Sequence, residues 1–137
     1  MPNMLKGSCL CGNIHYQYTG DLGPVVMCHC SQCRKSSGTA FATNSPVDKS
    51  QFKIISGNEF ICEYESSPGK FRAFCSNCGT PIYSRRESIP DQLRIRLGTV
   101  DTEVDERPSF HIFVSSKAGW YSILDELPQF PEFEQGR

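Results

Sequence analysis

The sequence has no apolar run approaching the roughly 18 residues of a membrane span, and no opening segment that resembles a signal peptide. A soluble, cytoplasmic chain with no membrane partner is the expectation. Its 14 Lys and Arg form no basic block, and 15 acidic residues leave a formal net charge of -1. That scatter argues against a nucleic-acid partner, because wholesale phosphate binding demands a concentrated basic face. Internal repeats and low-complexity segments are also missing. With 137 residues, the prior is a single domain over 1–137 that buries one modest core.

What the chain has in quantity is cysteine, eight residues in all. In a secreted chain that count reads as a disulfide framework, whereas a reducing compartment favours metal binding. The densest stretch is Cys28-His29-Cys30-Ser31-Gln32-Cys33-Arg34-Lys35, with three thiols inside six residues. Zinc takes thiolates about 2.3 Å from the metal at tetrahedral angles, and closely spaced cysteines on a turning backbone meet that demand. Three thiolates are one short of a closed structural site, and match a catalytic site that leaves its last position open. Alternation through the stretch puts Cys28 and Cys30 on one side and His29 on the other, so His29 is expected to orient the site. Ser31 to Arg34 read as a helical turn capped by Ser31, bringing Cys33 back to the other two sulfurs.

Two further clusters flank this one. Cys9 and Cys11 precede Gly12, where a sharp turn lets both sulfurs converge. Cys75-Ser76-Asn77-Cys78-Gly79 is a two-residue-spaced knuckle, and without the helical context of a thioredoxin-like site zinc is the better reading. Cys62 has no neighbouring cysteine and reads as a buried, reduced, apolar side chain. His15 falls on the polar face of its strand and reads as a surface histidine.

Around the clusters the pattern is β-structure with short turns. Strands are expected over Asn13–Tyr18, Val25–Met27, Thr39–Thr43, Phe52–Ile55, Asn58–Tyr64, Lys70–Phe74, Leu93–Leu97 and Phe110–Val114. Turns are expected at Asn44-Ser45-Pro46, Ser56-Gly57 and Ser67-Pro68-Gly69. Before Ser8 the chain reads as a short polar lead-in. Trp120 and Tyr121 read as buried area, and the proline-rich tail from Asp125 to Pro131 as a segment pinned across the surface.

With Cys62 set aside, seven clustered cysteines divide into one group of four and one of three. Cys9 and Cys11 with Cys75 and Cys78 make a closed site, and Cys28, Cys30 and Cys33 an open one. Counting leaves other partitions available, such as the knuckle joining two members of the triplet.

These motifs, with Gly98-Thr99-Val100-Asp101 and His111-Ile112-Phe113-Val114-Ser115-Ser116-Lys117 followed by Trp120, resemble the glutathione-dependent formaldehyde-activating enzyme family over roughly residues 5 to 131. The resemblance implies a mainly β fold, a β-tent of several coiled antiparallel sheets with zinc knuckles. It implies two zincs, one structural on Cys9, Cys11, Cys75 and Cys78 and one catalytic on Cys28, Cys30 and Cys33. The implied reaction is that of a carbon-sulfur lyase, joining glutathione or a related thiol to formaldehyde or another small aldehyde. The family also holds centromere protein V-like members, so a non-catalytic zinc module that binds protein is the alternative, ahead of a zinc-ribbon nucleic-acid binder. Arg34 and Lys35, directly after the last triplet cysteine, are candidates for holding the carboxylates of glutathione.

Overall fold

The computed structural model describes residues 4–137. Two sheets carry the fold. The smaller joins β1 (Met4–Ser8), β2 (His15–Thr19) and β5 (Phe52–Ser56) in the order β1-β2-β5. The larger holds β3 (Val25–Cys28), β4 (Ala42–Asp48), β6 (Ile61–Ser67), β7 (Lys70–Cys75), β8 (Pro81–Arg86), β9 (Ile89–Arg96) and β10 (Pro108–Ile112), in the order β10-β3-β4-β9-β8-β7-β6. A single α-helix among the described residues, α1 (Ser31–Ser37), follows β3. No helix of the described residues is long and apolar enough to cross a membrane.

Side chains two apart on a strand share a face, and this alternation decides what lies between the sheets. Leu93 and Ile95 of β9 join Val47 of β4, Leu5 of β1 and Tyr18 of β2 in one buried cluster. The smaller sheet therefore covers one face of the larger. A second cluster continues that layer through Ile14, Tyr16 and Ile82 to the sulfurs of Cys9 and Cys75. The residues between these apolar positions point to the opposite face. There Arg72 pairs with Ser84 and Ser84 with Arg94, while Lys70 pairs with Arg86 and Arg96 with Asn44. The mainly β expectation holds, and the opposite face of the larger sheet is strongly cationic.

Several expectations are corrected. Residues Met4–Ser8, read as a lead-in, form a full strand against β2. The turn expected at Asn44-Ser45-Pro46 is the middle of β4, which starts at Ala42 rather than Thr39. Proline is tolerated there because β3 stops pairing at Asn44, and the Pro46 carbonyl accepts from Gly23 N–H at 3.0 Å across that open edge. Its nitrogen faces the same edge, where no ladder donor is required. Asn58–Phe60 are a 3-10 turn and the strand proper runs from Ile61 to Ser67. The strand expected over Phe110–Val114 ends at Ile112, since Phe113 takes φ 56°. β10 also pairs parallel with β3, unlike the other strand pairs of the described residues, which are antiparallel.

Two side chains sit opposite to their expected burial. Cys62 is exposed, because β6 is the outermost strand and lacks a sheet neighbour on one side. Trp120 is 73% exposed, carried on an irregular connection between a 3-10 turn and the tail. The tail itself is pinned as expected: His111 N–H donates to Pro128 O at 2.9 Å, Phe130 N–H to His111 O at 2.9 Å and Phe113 N–H to Glu132 O at 3.0 Å.

Candidate metal centres and the cationic cleft

The structure gathers the clustered cysteines into two groups, Cys9, Cys11, Cys75 and Cys78 in one and Cys28, Cys30 and Cys33 in the other, with the sulfurs inside each within 4.8 Å of one another. The alternative partition, with the knuckle joining part of the triplet, is not what the fold brings together. His15 is exposed on β2 and belongs to neither group.

The four-cysteine group forms where two tight turns meet. Gly12 N–H donates to Cys9 O at 3.0 Å and Gly79 N–H to Cys75 O at 2.7 Å, and both glycines have φ near 80°. Leu10 N–H donates to Thr80 Oγ1 at 3.0 Å, tying one turn to the other. Cys9 and Cys11 lie 3.5 Å apart at sulfur, and Cys11 and Cys75 3.8 Å. Four thiolates about 2.3 Å from one zinc are separated by about 3.8 Å, so the donor set fits that metal. Cys9 and Cys75 are buried, and Cys11 is exposed.

The three-cysteine group stands at the end of β3 and the start of α1. Cys30, not Ser31 as expected, caps the helix, with its sulfur accepting from Cys33 N–H at 3.3 Å. A sulfur at that cap fixes Cys30 against Cys33 and leaves the Ser31 side chain free. Gly38 ends the helix at φ 73°, donating to Arg34 O at 2.8 Å. Arg72, buried on β7, aims its guanidinium at Cys33 Sγ at 3.7 and 3.8 Å, and also donates to Ser36 Oγ and Gln32 Oε1 at 3.3 Å. The Cys33 thiol is held well below its ordinary range by the Cys28 and Cys30 thiols, then by Arg72 and Arg96. Three soft sulfur donors suit zinc, and no fourth Cys, His, Asp or Glu joins them among the described residues.

Behind the triplet lies a buried chain of polar groups. His29 Nε2 meets His111 Nδ1 at 2.8 Å, and His111 Nε2 meets the Asp125 carboxylate at 3.0 Å. A carboxylate accepts, so His111 carries its proton on Nε2 and accepts at Nδ1 from His29 Nε2–H. His29 Nδ1 is left as a buried acceptor with no partner among the described residues. Burial, followed by His111 and Lys117, lowers the His29 pKa to about 4. His29 is not gathered with the triplet sulfurs, and its Nε2 is engaged by His111.

In front of the triplet is a cleft of about 330 Å³ lined by all three cysteines and by the cationic sheet face. Lys70, Arg72, Arg86, Arg94 and Arg96 all reach it, and the tail closes one side with Phe133 and Arg137. Arg34 and Lys35 are not among its lining residues; Lys35 is exposed on α1 and the Arg34 Nε is buried without a hydrogen-bond partner. Sequence reasoning missed the five sheet cations. The signal was present as Lys70-Phe71-Arg72, Ser84-Arg85-Arg86 and Arg94-Ile95-Arg96, where basic residues recur at the period that puts them on one face.

Residues 4–116 match the model of the family described as glutathione-dependent formaldehyde-activating enzyme. An uncharacterized lyase of Schizosaccharomyces pombe is 36% identical over 78 residues, 57% of this chain and 55% of that protein. A Fusarium vanettenii protein, whose given name provisionally describes a glutathione-dependent formaldehyde-activating enzyme, is 26% identical over 82% of this chain and 62% of its own length. A Podospora anserina protein with the same description is 27% identical over 79% of this chain and 53% of its own. The chain thus spans little more than half the length of these curated relatives. The crystal structure of a Rhodobacter sphaeroides protein superposes with a TM-score of 0.62 at 22% identity, covering 75% of this chain and 97% of that one, a likeness of fold.

Proposed function

The chain belongs to the glutathione-dependent formaldehyde-activating enzyme family, and on that premise we propose that it is a zinc-dependent carbon-sulfur lyase working as one domain, with Cys28, Cys30 and Cys33 as its reaction centre. Its substrates are glutathione or a related thiol and formaldehyde or another small aldehyde. The thiol sulfur bonds to the aldehyde carbon, the carbonyl π pair moves to oxygen, and the proton lost from sulfur ends on that oxygen, giving a hemithioacetal, which from formaldehyde is the hydroxymethyl thioether. Cys9, Cys11, Cys75 and Cys78 would hold a structural zinc.

The observation that carries this reading is the open side of the triplet. Three sulfurs converge there, no fourth protein ligand completes them among the described residues, and a cleft reaches all three. A protein-binding module would call for a closed site or a flat surface. Zinc held by the triplet would supply the Lewis acidity that lowers the pKa of an arriving thiol. The chain's own residues then set the environment. Arg72 donates to Cys33 and offsets the thiolate charge, while its contacts to Gln32 and Ser36 lock α1 onto the sheet. The Asp125, His111 and His29 chain fixes the backbone that presents Cys28 and Cys30. Phe113 and Phe133, stacked edge to face with centroids 4.9 Å apart, give the tail side of the cleft an apolar wall beside Arg137.

Cobalt loaded in place of zinc tests the proposal without relying on turnover. Saturating glutathione should strengthen the sulfur-to-cobalt charge-transfer absorption of the triplet site, and Cys33→Ser should abolish that response. A spectrum unmoved by any thiol, with the triplet shown to be loaded, would transfer the domain to the protein-binding reading.

A further inference from the structure

The cations of the cleft outnumber what the cysteines require. Arg72 and Arg96 face the triplet, and the Arg137 guanidinium is held by both Glu134 carboxylate oxygens at 2.8 and 3.0 Å. Lys70, Arg86 and Arg94 remain, with no ion pair among the described residues. They are not loose surface charges. All three are half-buried, Lys70 and Arg86 are direct cross-strand partners, and Arg94 donates to Asn44 Oδ1 at 3.2 Å. No Asp or Glu lines the cleft. In the adjoining hollow of about 230 Å³, which shares Lys70, Arg86 and Arg94, the single acid is Glu134. Crowding is visible in the acidities: burial, then Arg72 and Arg86, lowers the Lys70 pKa to about 8.

Holding three like charges side by side costs free energy unless a ligand of opposite sign offsets it. Guanidinium groups bind carboxylate and phosphate oxygens in paired hydrogen bonds, and a low-dielectric wall strengthens each. A ligand ammonium would add a fourth positive charge, and its one acidic neighbour is already taken by Arg137. From this we infer that the cleft beside the triplet selects a multiply anionic small molecule, carrying two or more charges on phosphate or carboxylate oxygens and no ammonium group. The inference names the ligand class of the reaction centre proposed above and rests on that reading for which end of the ligand approaches the sulfurs. A thiol of this class is preferred over glutathione, which brings two carboxylates to the cleft but also one ammonium group.

Calorimetric titration of the zinc-loaded chain with inorganic phosphate, succinate and two peptides provides the test. The peptides are S-methylglutathione and its N-acetyl form, which differ by one ammonium group. Phosphate and succinate should each saturate a single site, and the tighter of the two tells whether phosphoryl or carboxylate oxygens are preferred. Both should weaken at least about tenfold in Arg86→Gln and in Arg94→Gln, with unchanged melting curves in at least one variant, and weaken further as salt rises. N-acetylation should tighten the peptide several-fold. The inference is overturned if acetylation leaves affinity unchanged or lowers it, or if folded variants bind phosphate and succinate as the parent does. If no anion binds while 2-mercaptoethanol still moves the cobalt spectrum, this inference falls and the reaction centre stands. If anions bind and no thiol moves the spectrum, the anion site stands and the proposed reaction falls.

Discussion

The two cysteine groups use the same ligand atom in different surroundings. The group of four joins the turn after β1 to the turn after β7, so its sulfurs bridge residues 64 apart in sequence, as between Cys11 and Cys75. The group of three is local, contained in Cys28 to Cys33. The partners of the first group are neutral: Ile14 N–H donates to Cys9 Sγ at 3.2 Å, and the Thr80 hydroxyl lies 3.1 Å from Cys78 Sγ. A guanidinium from another strand meets the second. One arrangement spends its thiolates on closing a long loop. The other turns its open side toward a charged cleft, and the fold around it supplies rigidity through α1, β7 and the tail.

Mutating one cysteine from each group is the strongest way to break the comparison. Structural zinc contributes on the order of 10 kcal/mol to small domains that depend on it. Cys78→Ser should therefore lower the melting temperature by about 15 °C or more, with loss of metal from both groups as the domain loosens. Cys33→Ser should leave the fold within about 5 °C of the parent and release the triplet metal alone. Melts paired with metal analysis decide it, and equal destabilisation by both variants would erase the distinction between a structural and a reactive group.

Two glycines sharpen the same contrast through the backbone. Gly57, at φ 84°, supports the four-cysteine turn: an added Cβ would lie 1.9 Å from Asn13 O and 2.9 Å from Ile14 Cα. Backbone must move to admit it, and Ile14 donates to Cys9. Gly38 has φ 73° at the end of α1 but open space around it. Gly57→Ala should cost about 3 kcal/mol or more and speed metal loss to a chelator, while Gly38→Ala should cost about 1 kcal/mol, the strain of a left-handed residue alone. Chemical denaturation measures both, and equal costs would mean that the Gly57 contact relaxes freely.

How legible these regions were follows from their range in sequence. The knuckles were readable because cysteine and glycine spacings are local, and the partition into four and three fits both the count and the family resemblance. The strand alternation at Leu93 to Leu97 was readable because Leu93 and Ile95 share the core face. The cleft was not read, since its cations come from β7, β8 and β9 and meet only through strand register. A chain with no basic block can still build a basic face. Arg34 and Lys35 show the converse, being adjacent to Cys33 in sequence yet absent from the lining of its cleft. Cys62 and Trp120 misled because burial depends on strand order and loop path, which hydrophobic type does not encode.

Lys70 gives the smallest and most specific contrast, because no cation of the described residues is a leading influence on Cys11, Cys75 or Cys78. Its pKa falls from 10.5 to about 8 in the folded chain, through burial first and then the neighbouring Arg72 and Arg86. Between those two values the unfolded chain binds more protons than the folded one, so stability must rise as pH increases through that window. Below about pH 8 the charged Lys70 opposes folding in full, and above about 10.5 the two states match. The swing should be about 1–2 kcal/mol once partial exposure is allowed for. Lys70→Met removes the group while keeping an unbranched apolar stem in the same space. At pH 7 the variant should melt above the parent, and by pH 10 the difference should shrink toward zero. Melts of both proteins at matched pH measure that difference directly. A difference constant from pH 7 to 10 would mean that Lys70 is not strained by its neighbours, and the cleft would lose one of its three uncompensated charges.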